Sequence, residues 1–261
     1  MPADLLDDLR TAINEVPDLI NAQLQDVLLG VYFARAVGSS AITDVVVDSQ
    51  GAIIGAVIVM DIDAFAERLA NAWATWKENS PFELRGSNCL EVTIADPAGD
   101  TRANAIQFLL LHEYGHVLST GRRFLPIWWL GADAMRGTTD YAFLQLGWDV
   151  TADKQIVPKA GEDFAGRSAI SYYARRGLAD DAILGIYQAL AGTSFATLYA
   201  ATNVYDDFAE TFATYVHSVL LGKPLRVRVL CDGEVRLQRQ HFWQDPASAD
   251  KRAFMERLLA P

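Results

Sequence analysis

Residues Asn104–Ser119 read Asn-Ala-Ile-Gln-Phe-Leu-Leu-Leu-His-Glu-Tyr-Gly-His-Val-Leu-Ser. Within this apolar run, His112, Glu113 and His116 make a His-Glu-x-x-His arrangement. Helix positions four apart share a face, so His112 and His116 can present two imidazoles to one metal ion. Glu113 falls about 100° round the helix, where it can act as general base on water polarised by that metal. Phe108–Leu111 before the motif, with Val117 and Leu118 after it, describe a helix buried nearly all round. Two His and a Glu in such a helix need partners, because each unpaired buried group costs roughly 1–3 kcal/mol. A shared metal supplies them together. Gly115 costs about 1 kcal/mol in a helix interior and signals close approach by another group. Asp100 or Thr101 can cap this helix, and Gly121 can end it.

At 261 residues, 51% hydrophobic and 21% charged, the chain has the composition of a globular protein. No repeat, low-complexity tract or linker divides it, so residues 1–261 are expected to form a single domain. A formal charge of −11 argues against nucleic acid or an anionic membrane as partner. Cys89 and Cys231 are too few for a disulfide framework and are expected as reduced, buried thiols. The N-terminus lacks a basic region followed by an apolar core, and the apolar run Ala52–Met60 is far too short to cross a bilayer. Taken as the true start, that N-terminus predicts a cytoplasmic protein.

Helical spacing runs through Asp4–Ala34, broken at Pro17, which reads as two helices or a kinked pair. Ile42–Val47 and Ala52–Met60 are β-branched and flank Asp48-Ser49-Gln50-Gly51, a β-hairpin signature. Asp61–Trp76 returns to helical spacing, and Leu90–Ile94 reads as a strand. That strand is a candidate sheet edge beside the cleft, where an extended substrate could add, and equally an ordinary core strand. The aromatics of Phe124–Leu130 read first as core and second as a pocket wall. Ser168–Arg176, Asp180–Leu190 and Ala249–Leu259 read as helices. The sum is an α+β chain, mostly helical, with a small mixed or antiparallel sheet beside the His-bearing helix.

A catalytic zinc takes three protein ligands and keeps a fourth position for water. The third is sought in Tyr199–His217, another mostly apolar helical stretch. Asp206 and Glu210 stand four apart on one face, and His217 lies seven further along it. Two carboxylates on one side of a buried helix call for a cation. Glu162-Asp163-Phe164-Ala165 echoes the pattern but has Gly166 where a second acid is needed. His217 itself reads as a satisfied core group.

These two segments, about 104–119 and 199–213, resemble the gluzincin group of zinc peptidases. In several of its branches the ligating Glu is followed four residues later by an acid, with Ala between, and the later acid orients a ligating His. Asp206-Asp207-Phe208-Ala209-Glu210 fits that pattern except that Asp occupies the ligand slot. The catalytic domain of anthrax lethal factor is similar here. Its Tyr precedes the ligand by seven residues with Thr-Asn between, as Tyr199, Thr202 and Asn203 do before Asp206. A widespread group of bacterial proteins also pairs these segments. The resemblance implies a zincin-like fold, a peptide or protein substrate and Tyr199 as oxyanion donor. Outside the resemblance, Tyr172, Tyr173 and His217 are alternatives, each read first as a packing residue. The aligned pattern favours Asp206 as third ligand. Side-chain reach favours Glu210, because Asp is one methylene shorter and would need a closer second helix.

The expected function is zinc-dependent peptide hydrolysis, with Zn2+ on His112, His116 and either acid. Glu113 takes a proton from the attacking water, whose pKa zinc lowers from about 15.7 towards roughly 7, and passes it to the leaving amine. The alternative is a catalytically inactive zinc-binding protein with a structural or regulatory role. A third reading is a helical binding domain in which the motif is coincidence.

Overall fold

The structure, a computed structural model, describes residues 3–173 and 177–260. The chain begins with helices α1 (Ala3–Asn14) and α2 (Asp18–Leu24), then strands β1 (Leu28–Ala34), β2 (Ala41–Val47) and β3 (Ile53–Asp61). Helices α3 (Ile62–Phe65) and α4 (Ala70–Asn79) follow, then β4 (Phe82–Glu83), β5 (Cys89–Thr93) and the motif-bearing α5 (Arg102–Ser119). Short strands β6 (Trp148–Val150), β7 (Ile156–Pro158) and β8 (Leu178–Ala179) lead to α6 (Ile183–Leu190) and α7 (Val204–Tyr215). The chain closes with β9 (Arg226–Cys231), β10 (Glu234–Gln240) and α8 (Ala249–Leu258).

The architecture is mixed α and β. A three-stranded sheet of order β1-β3-β2 pairs β1 parallel and β2 antiparallel to β3, and its β2 side packs on α5. A second, antiparallel sheet has the order β10-β9-β5, and two further pairs join β4 to β8 and β6 to β7. Strand is therefore spread over four small sheets among the described residues, so the chain is α+β without being mostly helical. No helix of the described residues is long and apolar enough to cross a membrane.

Helix α5 is the axis of the core. Fifteen of its 18 residues are buried, between α1, α4, α7 and the first sheet. Burying one Leu or Phe from this run is worth roughly 1.5–3 kcal/mol, so the run stabilises the fold while it carries polar groups into the interior. Thr101 caps its start, its hydroxyl accepting from the Asn104 N–H at 3.2 Å. Gly121, at φ 73°, supplies the left-handed turn just beyond its end.

Several sequence expectations are corrected. Leu28–Ala34 is a strand, because pairing parallel to β3 overrides its weak helical spacing. The helix expected over Asp61–Trp76 divides at residues 66–69 into α3 and α4. Of the helix expected over Ser168–Arg176, the described part holds a 3-10 turn, Arg167–Ala169, and Tyr173 at φ 61°, outside the helical region; residues 174–176 lie outside the described residues. Cys89 and Cys231 are free and half-buried, not fully buried.

The β5 edge is also closed. Along one face of α4, Asn71, Thr75 and Asn79 recur every four residues and bond the backbone of β5 and of the two residues that follow it. Asn79 pairs with both backbone groups of Leu90, at 2.8 and 3.0 Å. Thr75 does the same for Val92, and Asn71 accepts from Ile94 and Ala95. With β9 on its other side, β5 has no edge left for a substrate. The free edge beside the motif belongs to β2 instead.

Candidate metal centre

Three side-chain atoms converge where α5 meets α7. Nε2 of His112 and Nε2 of His116 stand 3.2 Å apart. Oδ1 of Asp206 lies 3.6 Å from the first and 3.5 Å from the second. A tetrahedral ion with bonds of about 2.0–2.1 Å holds its ligand atoms about 3.3–3.4 Å apart. The three separations match that triangle, and two imidazoles with one carboxylate are a donor set suited to zinc. These residues could hold a metal ion with little movement.

Asp206 reaches because the helices touch. A Cβ placed on Gly115 would lie 2.7 Å from Ala209 Cα, so only glycine permits this crossing. The close approach offsets the methylene that Asp lacks relative to Glu. The Asp206 carboxylate is also oriented: its Oδ2 accepts from Asn203 Nδ2 at 2.6 Å and from Thr202 Oγ1 at 3.3 Å. Oδ1 is left facing the two imidazoles. Asn203 is at the same time the N-cap of α7, accepting from the N–H groups of Tyr205 and Asp206. The Thr-Asn pair before the acid therefore sets both the start of the helix and the aim of its first carboxylate.

Glu210 stands on the other side of the His112 ring. Its Oε1 sits 3.0 Å from His112 Nδ1, on the far side of the ring from the three converging atoms, without the alignment of a hydrogen bond. Lys77 Nζ donates to Oε1 at 2.8 Å, and Thr197 Oγ1 donates to Oε2 at 2.8 Å. Lys77, Glu210 and Thr197 are all buried. Behind Lys77 stands Glu78, at 3.5 Å, whose Oε2 accepts from the hydroxyls of Tyr172 and Tyr187 at 2.9 Å each. A chain of buried charge thus backs His112.

Burial alone would strip the charge from these groups, and their neighbours reverse that tendency. For His112, desolvation pushes the pKa down, but the Asp206 and Glu210 carboxylates raise it to about 9. Desolvation pushes Glu210 up, and Lys77 with His112 brings it down to about 2. Asp206 is held well below the usual carboxylate range by His112 and His116, against its burial. Lys77 is raised by Glu210 and Glu78, again against desolvation.

Glu113 is buried, and its Oε2 accepts from Thr43 Oγ1 of β2 at 2.6 Å. Tyr199 stacks on the His112 ring, with centroids 5.3 Å apart and planes at 14°, and burial keeps its phenol well above its ordinary pKa. Tyr173 lines the same recess as His112, Glu113 and Tyr199. Tyr172 is committed to Glu78. His217 is a core group: its Nε2 lies 3.0 Å from the Pro224 carbonyl and its ring meets Phe108 edge-on. Glu162 accepts from the Ser194 N–H away from the cluster. Phe124–Pro126 are buried core, whereas half-buried Trp128 turns an edge towards His116 at 6.4 Å.

Sequence reading missed Lys77, Thr43 and Thr197. Lys77 carries a usable signal, since it stands four residues after Trp73 and three after Ala74, on the buried face of α4. Thr43 and Thr197 carry none, because only the tertiary fold brings them to Glu113 and Glu210.

Fold and site together define an α+β chain with a His-His-Asp cluster able to hold a metal. Compared with known proteins, the chain matches no family model, no curated protein and no solved structure.

Proposed function

We propose that the protein is a zinc-dependent peptidase of zincin-like design, with His112, His116 and Asp206 as ligands and Glu113 as general base. The observation that carries this reading is the triangle of 3.2, 3.5 and 3.6 Å between the three donor atoms, with the Glu113 carboxylate on the next residue. When bound, zinc supplies Lewis acidity to water and to a substrate carbonyl. The same donors suit ferrous iron; the buried Glu113 carboxylate, next in sequence to His112 and lining the same recess, supports the hydrolytic reading.

The chain's residues then divide the work. Thr43 fixes the Glu113 carboxylate, which takes the proton of the attacking water and returns it to the amine nitrogen as the C–N bond breaks. Tyr199, protonated and stacked on His112, is the donor for charge developing on the carbonyl oxygen. Glu210, held by Lys77 and Thr197 with Oε1 3.0 Å from His112 Nδ1, is the carboxylate that would orient His112 once that contact aligns as a hydrogen bond.

A peptide substrate is supported by β2. The Asp61 N–H donates to the Ser40 carbonyl at 2.9 Å, so by antiparallel alternation Ala41, Thr43 and Val45 turn their backbone groups away from β3. The Val45 N–H accordingly bonds the Asp44 side chain. An extended chain can add to this edge with Thr43 and Glu113 beside it. The deciding experiment measures metal content and cleavage of a denatured protein substrate by the purified protein. Zinc near one equivalent with chelator-sensitive cleavage is expected; metal-free protein that cleaves equally well would end the proposal.

A further inference from the structure

We infer that the cavity between the Val216–Leu220 turn, the start of β9 and residues 239–244 is a second ligand site, for a small organic molecule carrying a phosphate or carboxylate group. It has a volume of about 470 Å³, within the range of small-molecule sites. Lys223, Arg226, Arg239 and Arg252 line it, and no Asp or Glu does. In a chain of net charge −11 this is a local reversal of sign.

Its cations are not all spent within the protein. Lys223 pairs with Glu15 at 2.7 Å and Arg252 with Glu256 at 2.9 Å. Arg226 and Arg239 have no carboxylate partner among the described residues. Arg239 donates to the carbonyls of Phe195 and Ala196, and Arg226 reaches only Thr93 Oγ1 at 3.4 Å. Burial draws the Arg239 guanidinium down to about 10, against the opposing influence of Tyr187, Asp245 and Glu78.

Residues carrying unpaired hydrogen-bonding groups also stand in the wall of this cavity, where a small side-chain shift would bring those groups to a ligand. Arg226 Nε, Ser218 Oγ and Trp243 Nε1 are buried atoms without a protein partner, and all three residues line this cavity. Trp243 is only 5% exposed, so its N–H has little access to solvent. Buried donors are nearly always paired in native proteins, and an oxyanion offers several acceptors at once. Phe242, Val219 and Leu225 supply an apolar wall for the organic part.

The test titrates inorganic phosphate and succinate separately into the full-length protein by calorimetry, at ionic strength fixed with chloride. Saturable binding of at least one anion is expected, and the tighter of the two names the group the site prefers. Arg226→Gln should weaken it at least tenfold and Trp243→Phe, which removes one N–H and no charge, several-fold; Arg226→Lys should keep part of it. Thermal unfolding in chloride alone checks that each variant is folded, and if Arg226→Gln is not, Trp243→Phe carries the test. No saturable binding by either anion overturns the proposal. So does binding unchanged in every folded variant, which would place the anion elsewhere, the metal centre included.

Discussion

Gly115 of α5 and Ala209 of α7 meet backbone to backbone, with room for no side chain at position 115. Asp206 and Glu210 flank that crossing on α7, and His112 and His116 flank it on α5. One glycine therefore sets the distance on which the donor cluster depends. Gly115→Ala gains about 1 kcal/mol of helix propensity but forces a methyl into backbone contact, an overpacking cost of about 1–3 kcal/mol or more. The expected outcome is net destabilisation with metal affinity falling further than stability. Thermal unfolding and metal stoichiometry check it; full metal occupancy in a stable variant would show that the crossing does not govern the site.

What was legible beforehand follows from which signals are local. His112, Glu113 and His116 lie within one helix turn and a half, so spacing alone reads them, and the α7 acids are read the same way. Gly115 announced a close neighbour without naming Ala209. Strand order is not local, so Leu90–Ile94 reads equally as a cleft edge or a core strand until β9 on one side and the Asn71-Thr75-Asn79 ladder on the other show it closed. Leu28–Ala34 misled because a seven-residue apolar run serves either period until β3 pairs with it. Between Asp206 and Glu210 the aligned pattern favours Asp206; what no residue pattern encodes is the inter-helix distance that brings Asp206 Oδ1 within 3.6 Å of both imidazoles.

Glu113→Gln removes the proton acceptor and keeps the shape. Hydrolysis should fall by about 10²–10⁴-fold with bound metal nearly unchanged. Thr43→Val, which deletes the hydroxyl on Glu113 Oε2, should lower the rate less and leave metal in place. Steady-state cleavage assays beside metal analysis separate these effects; wild-type rates in Glu113→Gln would remove it from the chemistry.

The two α7 acids should fail differently. Asp206→Asn takes away a donor oxygen and should lose metal outright. Glu210→Gln should weaken metal binding only about 10–100-fold, as expected for a group that orients a ligand. It also leaves buried Lys77 with Glu78 alone, at 3.5 Å, which should cost about 3–5 kcal/mol of stability. Adding Lys77→Met to Glu210→Gln should recover much of that stability and little of the affinity. Competition with a zinc-binding dye and urea unfolding would reveal the reverse order if Glu210 were the ligand.

His217 gives the fold an acid weakness separate from the metal centre. Its ring is 1% exposed, lies 3.0 Å from the Pro224 carbonyl, and is drawn by burial to a pKa of about 4. In the unfolded chain a His titrates near 6.5, so below that pH the unfolded state binds the proton first. The stability tied to neutral His217 is therefore complete above about pH 6.5 and is lost as pH falls towards 4. The loss is on the order of 3 kcal/mol, at 1.36 kcal/mol per pKa unit. Urea unfolding of metal-free protein from pH 7 to 4 should show this slope, and His217→Gln should flatten it while lowering stability at pH 7. Parallel curves for the two proteins would mean that His217 is not held neutral by its burial.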